Sequence, residues 1–100
     1  MDAFAAVELD PVLHQPVRTR IAAYLSTRGE ATFTELKHAL ETTDGNLEAH
    51  IKKLVAARYL KARKETGDAR VQTIYTLTAA GRTAFQDYVD SLQRLLRFAP

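Results

Sequence analysis

A mainly α fold carrying one small β-hairpin, an α+β arrangement, is what this sequence predicts. Three observations point to it. Apolar residues recur at helical spacing in several separate stretches, two segments alternate as strands around a Gly-Asp turn, and cap residues stand at the boundaries between them. One hundred residues is about one domain, taken here as residues 1–100, and a chain of this size buries only roughly 60 to 70% of the surface it exposes when unfolded. Its core is therefore real but modest, and a partner subunit would add to it.

Taken in order, Asp10 followed by Pro11 makes an N-cap and first-turn pair, and Pro16 stands where a second helical segment can start. Val17, Ile21, Tyr24 and Leu25 then repeat at helical spacing until Gly29. Ala31 to Phe33 reads as a short edge strand, and Thr34 as the cap of a second helix, Glu35 to Leu40. A third helix follows within a few residues, capped by Thr43, with Asp44 in its first turn against the positive end of the helix dipole. Leu47, Ile51, Leu54 and Val55 form its buried stripe, which turns Asn46, Glu48, Ala49, His50, Lys52 and Lys53 elsewhere. Two helices joined by a tight turn, the second exposing small and polar groups near its start, make a helix-turn-helix.

Beyond it, Leu60 to Glu65 and Val71 to Leu77 read as strands joined by Thr66, Gly67, Asp68 and Ala69, with Gly67 and Asp68 tolerating the left-handed backbone of a tight turn. Tyr75 and Leu77 are the expected core residues of the second strand. Thr78 caps the last helix, whose Phe85, Tyr88, Val89, Leu92, Leu95 and Leu96 fall on one side over about 28 Å. Part of that stripe covers Val12, Leu13 and the first helix. So small a domain cannot cover all six, so pairing with the same helix of a second subunit is expected.

Charge is concentrated. Residues 51–70 hold seven bases and two acids, a balance of +5 that leaves −3 on the other eighty residues. A surface facing a polyanion has this asymmetry, and a merely solvated face is the plain alternative. No apolar run approaches the ~20 residues that cross a bilayer. The acidic start MDAFAAVELDP lacks the pattern of a secretory signal, and the absence of cysteine fits a reducing cytoplasm. A soluble, cytoplasmic protein is expected.

The runs HQPVRTRIAAYL, FTELKHAL, TDGNLEAHIKKLVAARYL and IYTLTAAGRTAF, in this order and spacing, resemble the winged helix-turn-helix regulators of bacteria and archaea, in particular the short type related to the MarR and ArsR groups. The resemblance spans about residues 9–96. It implies a homodimeric regulator, a repressor by expectation, that binds double-stranded DNA. Helix 43–57 would lie in the major groove, hairpin 60–77 would be the wing on the backbone, and helix 78–96 would carry the dimer contacts. On this chain Thr43, Asp44, Gly45, Asn46, Glu48, Ala49, His50, Lys52 and Lys53 fall on the recognition helix, and Arg63, Lys64 and Arg70 on the wing. Asn46 and His50 suit base edges and Gly45 and Ala49 allow close approach, whereas Lys52, Lys53, Arg63, Lys64 and Arg70 suit phosphates. Two departures stand out. Arg58 replaces the glycine that many relatives have where this helix ends, which calls for a left-handed arginine or a different cap. Glu48, Glu65 and Asp68 place acid in a surface meant for phosphate.

Other classes fare worse. No nucleophile with a base, carboxylate pair or glycine-rich phosphate loop is present, His14, His38 and His50 are scattered, and the cysteine ligands of metal-sensing relatives are missing, so neither catalysis, a metal nor a cofactor is expected. A small effector would lodge where Tyr24, Phe85 and Tyr88 gather, but no motif supports one. The competing function is a winged helix that contacts protein instead of DNA.

Overall fold

The computed structural model describes residues 4–67 and 70–97. Along the chain run α1 (Pro16–Arg28), β1 (Glu30–Thr32), α2 (Phe33–Leu40), α3 (Asp44–Ala56), β2 (Leu60–Thr66), β3 (Val71–Leu77) and α4 (Ala79–Leu96). The strands form one antiparallel sheet in the order β1-β3-β2. The predicted turn residues Asp68 and Ala69 lie outside the described residues.

Asp10 caps a turn ahead of α1: its Oδ1 accepts the Val12 and Leu13 amides. Gln15 then caps α1 itself by accepting the Arg18 amide, with Pro16 at the first helical position, where its missing N–H costs nothing. Gly29 ends the helix at φ 89°, its amide donating to the Leu25 carbonyl.

The expected boundaries of β1 and α2 shift. The strand is Glu30–Thr32, and α2 begins at Phe33 with Thr32, not Thr34, as its cap. The reason is reciprocal capping. Thr32 accepts the Glu35 amide while the Glu35 carboxylate accepts the Thr32 amide, a pairing that needs an acid three residues on, and Thr34 has Lys37 there.

The α3 cap stands as expected: Thr43 accepts the Asn46 amide. Leu47, Ile51 and Leu54 are buried, but Val55 is 42% exposed. At 100° per residue, position i+8 drifts about 80° from Leu47, off the buried stripe. After α3 the Tyr59 amide donates to the Leu54 carbonyl and the Arg58 amide to that of Val55, with Arg58 left-handed at φ 65°. This is the double bond of a Schellman ending, made with an arginine in the glycine position.

Fully buried Leu13, Ile21, Leu25, Leu36, Leu47 and Leu54 form the centre of the core, each worth roughly 1.5 to 3 kcal/mol. In β3, Leu77 is buried as expected and Tyr75 is half-buried, but Ile74 is buried too, on the opposite face. A central strand is flanked on both sides: Thr32 and Arg63 stand directly across from Ile74 and shelter it.

Thr78 ties α4 to the end of α3. Its amide donates to the Tyr59 carbonyl, its hydroxyl donates to the Arg58 carbonyl, and the same oxygen accepts the Gly81 amide. Gly81 is required here, because a Cβ would overlap the Tyr59 carbonyl oxygen and come within 2.9 Å of its carbon. Farther along, Tyr88 is buried and its hydroxyl lies 2.9 Å from His14 Nδ1.

Candidate nucleic-acid interface

The side of α3 away from Leu47, Ile51 and Leu54 is exposed from its first turn onward. Gly45, Asn46, Glu48, Ala49, Lys52 and Lys53 all face solvent, and Thr43 and Asp44 lead into them. Several of these polar groups are already held. Asp44 pairs with Lys37 of α2 at 2.9 Å, the Asn46 side-chain amide donates to Thr42 Oγ1 at 2.8 Å, and Glu48 reaches Lys52 one turn on at 3.5 Å. His50 is half-buried, with Nδ1 3.1 Å from the Arg18 guanidinium of α1. Burial first, then the charges of Arg18 and Lys53, lower its pKa.

The wing divides its bases between two faces. Residues directly paired across strands share a face, so Arg63 stands with Ile74 and Thr32, while Lys64 points to the other side with Thr73. Arg63 is not a free phosphate ligand in this structure: it pairs with Glu30 at 2.9 Å and Glu65 at 3.2 Å. Lys53, Lys64 and Arg70 carry no ion pair to another described residue. Burial, then the Glu48 carboxylate of α3, raise the Tyr75 pKa.

Nothing in the sequence announced Arg18, Lys37, Thr42 or Glu30 as members of this surface. Arg18 meets His50 across 32 positions, and no local spacing encodes such a meeting.

The residues expected at a dimer contact separate into two sets. Tyr88 is buried inside the protomer, and Phe85 and Leu92 pack at the edge of the same core. Val89 and Leu95 are half-buried, and Leu96 is 73% exposed. Tyr24 does not join Tyr88 in one pocket. Its ring lies under Arg28, 5.1 Å from the guanidinium carbon, and lines an open groove of about 950 Å³ with Phe33, His38 and Val71. Among the described residues no three His, Asp or Glu side chains form a metal-holding group, and no helix is long and apolar enough to cross a membrane.

A helix-turn-helix is followed by a two-stranded hairpin with basic residues, and the family model of the winged helix DNA-binding domain matches residues 17–96. The chain belongs to the winged helix DNA-binding domain family. An uncharacterized protein of Methanocaldococcus jannaschii is 37% identical over 84 residues, covering 84% of this chain and 91% of that protein. A transcriptional regulator homologue of Pyrococcus horikoshii superposes with a TM-score of 0.81 at 30% identity, covering 86% of this chain and 85% of that one. The adhesin competence repressor of Streptococcus pyogenes aligns over 93% of this chain and 64% of its own, with a TM-score of 0.63 and 26% identity. The resemblance to MarR-like winged-helix regulators read from the motifs is thus upheld. Family and fold are those of DNA-binding regulators, not of enzymes.

Proposed function

We propose that this winged helix is a homodimeric, sequence-specific repressor of the cytoplasm, with α3 in the major groove of an inverted repeat and the β2–β3 wing on the flanking backbone. The observation that carries the reading is the exposed face of α3. Gly45 and Ala49 put no bulk on it, Asn46 stands at its edge, and Lys52 and Lys53 follow. Small residues allow close approach, an amide suits a base edge, and lysines neutralise phosphates. The half-buried Val89 and Leu95 and the exposed Leu96 of α4 supply the reason to dimerise, and two such subunits would meet major grooves about 34 Å apart. PadR of Bacillus subtilis, of the same fold at 17% identity and a TM-score of 0.66, has been crystallised in complex with operator DNA.

Fluorescence anisotropy with random duplex DNA at two salt concentrations tests the reading. Binding that weakens steeply as salt rises is expected, and Lys53→Ala with Lys64→Ala should weaken selected and random duplexes alike while flattening the salt slope by about 1 to 2. No salt-sensitive binding at low ionic strength would reject DNA in favour of a protein partner.

A further inference from the structure

Of the side chains on α3 expected at base edges, His50 alone is gripped by a different helix. Arg18 lies on α1, and its Nε donates to the Val12 carbonyl at 2.6 Å, which fixes the guanidinium plane; its Nη1 then meets His50 Nδ1 at 3.1 Å. Arginine has only N–H donors and stays charged at any physiological pH. His50 Nδ1 must therefore accept, so the ring is neutral and its single proton sits on Nε2. That nitrogen has no partner among the described residues. One turn earlier the Asn46 amide group is spent on Thr42 Oγ1, leaving Oδ1 as the free end of that side chain. The flank thus offers an acceptor from Asn46 and a donor from His50.

We propose that Arg18 is a positioning residue for sequence reading, holding His50 in the Nε2–H tautomer so that α3 presents one fixed donor to a purine N7 in the major groove. The inference rests on the DNA-reading role of α3 proposed above. Without Arg18 the imidazole is free to exchange tautomers and to present an acceptor in place of the donor, and discrimination at that base falls even though Arg18 touches no base. The charge that Arg18 and Lys53 place beside the ring acts in the same direction, against a second proton.

Two measurements on the full chain test this. Long-range proton–nitrogen NMR of the free protein should show His50 protonated only at Nε2, a mixture of tautomers in Arg18→Met, and recovery of the single form in Arg18→Lys. Duplexes selected from a random library by the wild-type protein are then remade with one 7-deazapurine at a time. One replacement should weaken wild-type binding roughly tenfold, yet leave His50→Ala unaffected, and Arg18→Met should lose most of the same difference. A wild-type spectrum with the proton on Nδ1 overturns the proposal while leaving DNA binding intact. So does a set of 7-deazapurine losses that His50→Ala does not absorb. If no duplex is selected at all, the base-reading role falls together with the proposed function, and the NMR result separates the two failures. The wild-type measurements stand even if Arg18→Met does not fold.

Discussion

The two halves of α4 are made to opposite specifications. The first half is locked: Thr78 bonds to the backbone of Arg58 and Tyr59, Gly81 lies against the Tyr59 carbonyl, and Tyr88 is buried with its hydroxyl on His14. Toward its end the second half opens, leaving Leu95 half-buried and Leu96 exposed. One stripe of apolar residues is therefore covered at its start and bare at its end. Where it meets its own core it is held by a backbone contact that tolerates no added atom; where it leaves the core, it ends in an exposed leucine, the surface proposed above for a second subunit.

Gly81→Ala should break the locked half and have the largest effect. The new methyl group meets backbone, which cannot rotate aside, so a loss of about 3 kcal/mol or more in urea unfolding is expected. A loss within experimental error would mean that the α4–Tyr59 approach is looser than described. Leu95→Lys with Leu96→Lys addresses the open half. Self-association in analytical ultracentrifugation should weaken at least a hundredfold, about 2.8 kcal/mol, while the unfolding midpoint of the dilute protein barely moves. Dimers that survive would place the interface on another surface.

A smaller, pH-dependent effect sharpens the same contrast. Tyr59, whose backbone seats Gly81, donates its hydroxyl to Asp10 Oδ2 and so pins the N-terminal segment to this corner. That hydrogen bond, with burial and the Asp10 charge, pushes the phenol up to about 12. The folded pKa lies above the unfolded value near 10, so the stabilisation is fully present below pH 10 and is lost as pH climbs through 12. Since solvent reaches part of the ring, the loss should be roughly 1 to 2 kcal/mol, less than the full conversion of the shift. Comparing wild type with Tyr59→Phe in urea across pH 9 to 12 isolates it, and parallel curves would refute the assignment.

What could be read from the sequence was whatever a few consecutive residues decide. Thr43 and Thr78 cap their helices, Gly29 stops α1, and Val71–Leu77 is a strand, each for reasons contained within one turn or one alternation. Arg58 was legible as one of two endings, a left-handed arginine or a different cap, and the chain uses the first. Thr32 was also within reach, since Glu35 three residues on marks it above Thr34. Beyond reach were contacts that depend on how elements meet. Ile74 is sheltered because β3 became the central strand, Tyr88 is internal because His14 arrives from 74 positions away, and Arg63 is engaged because β1 brings Glu30 alongside. In the candidate interface the helix was legible as a surface, whereas the partners that orient Asn46 and His50 were not.

The capping box at Thr32 has a mechanical consequence. The last residue of β1 is also the cap of α2, so no linker separates the sheet from the helix-turn-helix, and β1 is in turn paired to the wing's own strand β3. Sheet and α2 are therefore joined directly, and the turn at Glu41, left-handed at φ 50°, is what separates α2 from α3. A change in the path of β1 would thus be passed to α2 without a linker to absorb it, while α3 would feel it through that turn.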